Sequence, residues 1–316
     1  MLDVVTIGET MVMFSPRGQG RLRYINEFYK SLAGSESNVA IGLCRLGHRA
    51  GWISRVGQDE FGQYILKELR GEGVEVSQVR IDKQAFTGIM FKEIRPGRET
   101  IVTYYRKGSA ASYMNKEDLD EDYIKESKIL HITGITPALS LSCREAIYRA
   151  IEIAKSHKIL ISFDPNIRFK LWSEEEARKV LFDITTKCDI ILPGLDEAKF
   201  ILGTSEIEDS IDKFLQLGVK KIAIKIGADG CWVADSQSRA QIPGFNPGVI
   251  VDPVGAGDAF AAGFLTGILE GKSLDECGRM ANAMGAMALT APGDYESLPT
   301  REELDVFMNN DQEITR

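Results

Sequence analysis

The chain has 316 residues, 44% of them hydrophobic and 27% charged, which is enough for a globular protein with a sizeable core. A net charge of −8 with no basic face excludes bulk nucleic-acid binding. No run approaches the ~18 apolar residues of a membrane span, the first five residues lack a signal-peptide layout, and the five cysteines form no CxxC pair. These features predict a cytoplasmic protein with reduced thiols and neither a membrane nor a nucleic-acid partner. The three histidines, His48, His131 and His157, lie far apart and show no metal-ligand spacing.

In chain order, residues 4–7 read as a strand that stops at Gly8. Residues 37–46 read as a helix, with Ser35 as N-cap and Gly47 as stop. A strand at 51–56 and a helix at 61–69 follow. Strands are then predicted at 128–132, 159–163, 189–192 and 221–226, with helices at 142–156, 174–186 and 207–217 between them. The alternation predicts one α/β domain over 1–316, a mostly parallel central sheet with helices on both faces. Ligands in such sheets bind at the carboxyl ends of strands. Asp164-Pro165-Asn166-Ile167-Arg168, Glu197, Lys225 and Gly227 all fall at such ends.

Residues 12–32 and 86–106 break the alternation. Residues 88–94 and 99–105 look like two strands around the turn Arg95-Pro96-Gly97-Arg98. Both stretches are read as a small antiparallel sheet outside the main layer, a lid over the ligand. An edge extension of the main sheet is the alternative. The last residues, 308–316, are polar and expected to fray.

The most informative stretch is Asp252-Pro253-Val254-Gly255-Ala256-Gly257-Asp258-Ala259-Phe260, which follows the apolar run Gly248-Val249-Ile250-Val251 and opens a helix over 259–269. Glycines permit close backbone approach, and the free N–H groups of a helix start favour phosphate. A carboxylate is an odd residue for holding phosphate. Asp258 makes sense as a base that takes the proton of an attacking hydroxyl. Gly267-Ile268-Leu269-Glu270-Gly271-Lys272-Ser273 mimics a phosphate-binding loop but is one residue short and follows a helix, so Gly271 is read as a helix stop.

The segment from Asp252 through Phe264 resembles the C-terminal signature of the ribokinase-like, PfkB-type carbohydrate kinases. That resemblance implies an anion hole at Gly255, Ala256 and Gly257, with Asp258 as catalytic base. Ala33-Gly34-Ser35-Glu36-Ser37-Asn38 resembles the family's N-terminal substrate motif, with Ala33 in place of a glycine. Arg45-Leu46-Gly47 and Gly57-Gln58-Asp59-Glu60-Phe61-Gly62 match further family patterns. Lys225-Ile226-Gly227-Ala228-Asp229-Gly230 is similar to its nucleotide loop, and Ala281-Asn282-Ala283-Met284-Gly285-Ala286 to its adenine pocket. ATP is thereby expected at Lys225, Gly227, Gly230, Gly255, Gly257 and Asn282. Relatives often carry Asn-x-x-Glu where this chain has Gly194-Leu195-Asp196-Glu197. Glu197 is therefore expected to order Mg2+ through water.

Tyr104-Tyr105-Arg106-Lys107-Gly108-Ser109 and Gly8-Glu9-Thr10-Met11-Val12-Met13-Phe14 resemble the members that phosphorylate 2-keto-3-deoxygluconate. By that resemblance Gly34, Asn38, Tyr104, Arg106, Arg168 and Asp258 contact a sugar acid, whose carboxylate suits the planar fork of arginine. The implied product is 2-keto-3-deoxy-6-phosphogluconate. A fructokinase or other neutral-sugar kinase, and a non-catalytic nucleotide-binding sensor, are the alternatives. The resemblance and the exposed edges of the lid strands imply a homo-oligomer, a dimer or larger.

Overall fold

The short apolar runs of the chain assemble side by side into a nine-stranded sheet. The computed structural model describes residues 1–95, 97 and 100–313, the side chains of 310–313 excepted. Pro96 and Arg98 of the expected turn, Glu99, and the end of the expected frayed tail at 314–316 lie outside the described residues.

In order come β1 (Val4–Ile7), β2 (Met11–Pro16), β3 (Phe28–Ala33), α1 (Ser35–Arg45), β4 (Ala50–Gly57), α2 (Glu60–Gly71), β5 (Val79–Asp82), β6 (Ile89–Glu93) and β7 (Ile101–Tyr105). Then follow α3 (Glu121–Lys125), β8 (Ile129–Thr133), α4 (Thr136–Leu139), α5 (Leu141–Ser156), β9 (Leu160–Asp164), α6 (Glu174–Thr185) and β10 (Ile190–Ile191). The last part holds α7 (Leu195–Leu202), α8 (Ile207–Gln216), β11 (Lys221–Lys225), β12 (Cys231–Ala234), β13 (Arg239–Ile242), α9 (Ala256–Leu269), α10 (Leu274–Ala288) and α11 (Arg301–Glu313).

The main sheet runs β13-β12-β11-β10-β9-β8-β1-β4-β5. From β11 to β5 every pairing is parallel, as helical crossovers demand. β12 and β13 close one edge antiparallel. Strand residues alternate between two cores. Val4 joins side chains of α1, α2, α9, α10 and α11, whereas Val5 and Ile7 join those of α3, α5, α6, α7 and α8. The chain winds outward from β1 to β5, then returns to β8 on the other side of β1. This reversal opens a crevice at the carboxyl ends of β1 and β8.

The second sheet is separate, with order β3-β2-β6-β7, and is no edge extension. It is mixed rather than antiparallel, because β2 and β6 pair in parallel. Each of them follows a strand of the parallel sheet, β1 or β5, and leaves from the same edge. Each then turns back into its antiparallel partner, β3 or β7. One face packs Met11, Met13 and Met90 toward the body of the protein. The other stacks Phe14 on Phe91 at 5.1 Å, with Phe28 edge-on at 5.6 Å.

Two further expectations change. Helix α1 begins at Ser35 with Gly34 as its cap, so Ser35 is free for other work. Helix α11 continues to Glu313, through part of the tail expected to fray. Gly271 does end α9, at φ +67°.

Candidate active site

Helix α9 is apolar all round and packs against α1 and α10. Its start is fixed by Gly255, whose φ of +85° lies in the left-handed region. A Cβ there would sit 2.2 Å from the Asp294 carbonyl oxygen, so no larger residue fits. The N–H groups of Ala256, Gly257 and Asp258 fall in the first turn, where no intrahelical acceptor exists.

Asp258 is only 8% exposed. Its carboxylate accepts a 2.6 Å hydrogen bond from Ser35 Oγ and a 2.8 Å bond from Asn38 Nδ2. Ser35 Oγ in turn accepts from Asn166 Nδ2 at 3.0 Å. Burial pushes the Asp258 carboxyl up to about 6; the two donors oppose that shift, and the charges of Asp164 and Asp294 add to it. It is thus ionised at neutral pH yet holds a proton more readily than an exposed aspartate. Those are the properties of a general base. α1 can approach α9 so closely because it carries Gly42, where a Cβ would lie 2.7 Å from the Ala262 side chain; at Gly34, just before α1, a Cβ would lie 2.7 Å from the Glu9 carbonyl oxygen.

Asp258, Gly255 and Gly257 line a polar cavity of about 350 Å³ at the strand ends. Gly34, Tyr104, Arg106, Arg168, Glu197 and Lys225 line the same cavity. Arg106 is already paired: its Nε and Nη2 lie 2.6 and 2.5 Å from Glu9 Oε2. Arg168 pairs with no carboxylate among the described residues. Lys225 Nζ donates to Asp164 Oδ2 at 2.8 Å. Burial lowers the lysine's affinity for its proton, but the Asp164 and Glu197 charges outweigh this and raise it. Both oxygens of Glu197 accept backbone N–H groups, from Ile167 at 2.7 Å and Gly194 at 2.8 Å. Burial raises its carboxyl, reinforced by the Asp164 charge and opposed by Lys225.

A second cavity of about 420 Å³ lies against it. Gly227, Gly230, Phe245, Phe260, Gly285 and Leu289 give it a largely apolar wall, of the kind that takes a heterocycle. Asn282 also lines it, but its Nδ2 donates to the carbonyls of Ile242 and Pro243, both at 3.0 Å. Its amide thus braces the wall. Lys225, Pro253 and Gly257 belong to both cavities.

Most residues singled out from the sequence therefore converge. Asn38 differs: it is 1% exposed, lies behind Asp258 and does not line the cavity. Ala256 faces the second cavity. Sequence reasoning missed the role of Ser35, which the cap assignment had absorbed, and of Asn166. It also missed Glu9, the partner of Arg106, and Asp164, the partner of Lys225. Asn166 sits at φ +37°, where a non-glycine residue is held by its surroundings, which only the structure shows.

A family model described as "pfkB family carbohydrate kinase" matches residues 1–301. The chain belongs to that family. It is 41% identical to a 2-dehydro-3-deoxygluconokinase of Bacillus subtilis, over 98% of this chain and 96% of the relative. Identity to a 2-dehydro-3-deoxygluconokinase of Thermoproteus tenax is 37%, over 98% of this chain and 94% of that one. The crystal structure of an E. coli protein provisionally named ribokinase II, in complex with ATP and Mg2+, superimposes with a TM-score of 0.91. That pair shares 28% identity, over 98% of this chain and 100% of the other. The ribokinase-like α/β fold and membership among phosphotransferases with an alcohol acceptor are thus established.

Proposed function

We propose that the protein transfers the γ-phosphoryl group of ATP to the terminal hydroxyl of 2-keto-3-deoxygluconate, giving 2-keto-3-deoxy-6-phosphogluconate. The observation that carries this reading is the junction of two cavities of opposite character at Lys225, Pro253 and Gly257, with Asp258 beside it. Phosphoryl transfer needs an acceptor and a phosphate to meet in line, and little else from the protein beyond positioning and charge.

Asp258 takes the proton of the acceptor hydroxyl, and the oxygen attacks the γ-phosphorus. The N–H groups at Gly255, Ala256 and Gly257 donate to the phosphoryl oxygens as charge shifts onto them. Lys225 lines both cavities, so its ammonium neutralises charge where the phosphates enter. Nucleotide lies along Lys225, Gly227 and Gly230, with its base in the second cavity, braced by Asn282. The sugar acid lies against Gly34, Tyr104, Arg106 and Arg168. Asn38 acts through Asp258, whose carboxylate it orients. Arg168, with its fork unpaired, takes the carboxylate of the sugar acid, and Arg106 lends the charge that its bond to Glu9 leaves over.

Among the described residues no cluster of three or more His, Cys, Asp or Glu side chains is placed to chelate a metal. Asp164 and Glu197 do face the cavity, each with part of its acceptor capacity used. That donor set fits Mg2+ held through water by Glu197 and Asp164. When bound, Mg2+ supplies charge neutralisation on the phosphate oxygens.

The same reading makes 1–316 one kinase domain, with the four-stranded sheet as lid. It places the enzyme in the cytoplasm as a dimer or larger, associated through the exposed strands of that sheet, where Tyr29 and Tyr105 are solvent-facing. No described helix is long and apolar enough to cross a membrane. The test is ATP consumption with 2-keto-3-deoxygluconate, fructose, ribose and adenosine. The sugar acid is expected to give the highest kcat/KM. A preference for fructose would overturn the acceptor assignment, and no turnover with any of the four would favour a nucleotide sensor.

A further inference from the structure

Lys92 is 2% exposed, among the largest fully buried side chains of the protein. It sits on β6 of the four-stranded sheet, two residues after Met90, and so on the face that meets the acceptor cavity. Its Nζ lies 2.9 Å from Asp252 Oδ2 and 3.2 Å from Asp294 Oδ1. A buried lysine is costly unless paired, and this one is paired twice.

The two aspartates are not remote from the chemistry. Asp252 precedes the Gly255–Gly257 turn, and its Oδ1 accepts the Val254 N–H at 3.1 Å. Asp294 backs the turn, its carbonyl oxygen being the atom that excludes a side chain at Gly255. Two carboxylates placed behind an anion-binding turn oppose a phosphate in front of it. Burial lifts Asp294 to about 6, which leaves it ionised at neutral pH. Burial pulls Lys92 down, but the Asp294 and Asp252 charges outweigh that and raise it. Among the described residues no other cation pairs with either aspartate.

We propose that Lys92 is a positioning residue that serves as a built-in monovalent cation: its ammonium neutralises Asp252 and Asp294 and holds both against the Gly255–Gly257 turn, so that the turn binds phosphate without any added alkali-metal or ammonium ion. The proposal rests on the assignment of that turn to nucleotide phosphate, but not on the identity of the acceptor. It also ties the lid sheet to the anion hole, because the ammonium comes from one and its partners frame the other.

The experiment compares ATP affinity, by calorimetry with Mg2+ present, and kcat at an ionic strength of about 0.1 M set by tetramethylammonium, sodium, potassium or ammonium chloride, so that the Debye length is about 10 Å in each case. The unaltered enzyme is expected to give the same ATP Kd and kcat in all four salts, within a factor of about two. A tenfold activation by potassium or ammonium over tetramethylammonium would overturn the proposal without any variant. Lys92→Ala is expected to bind ATP at least tenfold more weakly in tetramethylammonium chloride and to recover most of that loss in potassium, ammonium or methylammonium chloride. A folded Lys92→Ala with unchanged ATP affinity, or a loss that no small cation restores, would also overturn it. Lys92→Met combined with Asp294→Asn removes the ammonium together with the deeper carboxylate and serves if Lys92→Ala does not fold. Its ATP affinity is expected to stay within a few-fold of the unaltered enzyme, and a loss as large as that of Lys92→Ala would count against charge neutralisation. Failure of the kinase reading is separable, because it would show as no ATP binding to the unaltered enzyme in any salt.

Discussion

The two cavities that meet at Lys225 are built by different means. The cavity proposed for the acceptor is written in charged side chains from distant parts of the chain: Glu9, Arg106, Asp164, Arg168, Glu197 and Asp258. Each except Arg168 is held by a partner that folding brings to it, such as Ser35 for Asp258, 223 positions away. The cavity proposed for the nucleotide is written mainly in backbone and small residues, with glycines at 227, 230, 257 and 285 and an apolar wall. The first arrangement selects by charge and hydrogen bonding. The second selects by shape. Side-chain changes should therefore act on chemistry and choice of acceptor on one side, and on nucleotide affinity on the other.

The strongest way to break this contrast is Asp258→Asn. It should lower kcat by about 10²–10⁴ with the fold intact, as expected for loss of a general base. A near-normal rate would remove Asp258 from that role. The arginines sharpen the contrast within the acceptor side. Arg168→Ala should reduce kcat/KM for the sugar acid by roughly 10- to 100-fold, the worth of a charge-assisted hydrogen bond, and change fructose turnover far less. Arg106→Ala should harm both substrates, because it strands the buried Glu9 carboxylate, and should destabilise the fold by on the order of 3 kcal/mol. Equal losses on the two sugars for Arg168→Ala would count against a carboxylate contact at that residue.

On the nucleotide side, Gly285→Leu places a side chain beside Phe260 and the Ala256 carbonyl. It should raise KM for ATP about tenfold while leaving kcat at saturation nearly unchanged, since overfilling a shaped wall typically costs 1–3 kcal/mol. A fall in kcat at saturating ATP would show the two sides to be less separable than their construction suggests. The smallest effect is on stability. Asp258 binds its proton more tightly folded than unfolded, its carboxyl pushed up to about 6 from the ordinary 3.8. Stability is therefore lost as pH rises through that window, where the folded protein must give up a proton that the unfolded chain has already released. Asp258→Asn should raise Tm at pH 7 to 8 and leave it unchanged near pH 3. Asn38 Oδ1 is buried and without a partner among the described residues, so the Asn38 amide can turn over and present it to the new amide. A drop in Tm at pH 8 would mean that burial is not what raises Asp258.

Much of this was legible in the sequence. The parallel strands announced themselves as short apolar runs between helical periods, and the Asp252–Phe260 segment marked an acid beside a helix start, although α9 begins at Ala256, three residues before the expected 259, and so takes Asp258 into its first turn. What escaped was set by distance in sequence or by a rule with two solutions. A serine two residues before an expected helix reads as a cap, so Ser35 was assigned locally while its hydroxyl bonds to α9. The parallel pairing of β2 with β6 depends on which edge both strands leave, and no local pattern records that. Lys92 alternates with apolar residues, so periodicity places it on the face with Met90, but not its buried carboxylate partners from 160 and 202 positions away.

Lys225 lines both chambers at once, its ammonium bonded to Asp164. A guest that draws it away from Asp164 changes the welcome offered to the guest next door. Thermodynamic reciprocity then requires the sugar to alter nucleotide affinity by the same factor by which nucleotide alters sugar affinity. One side chain thereby couples the two chambers, and whatever it gives to one guest it gives equally to the other.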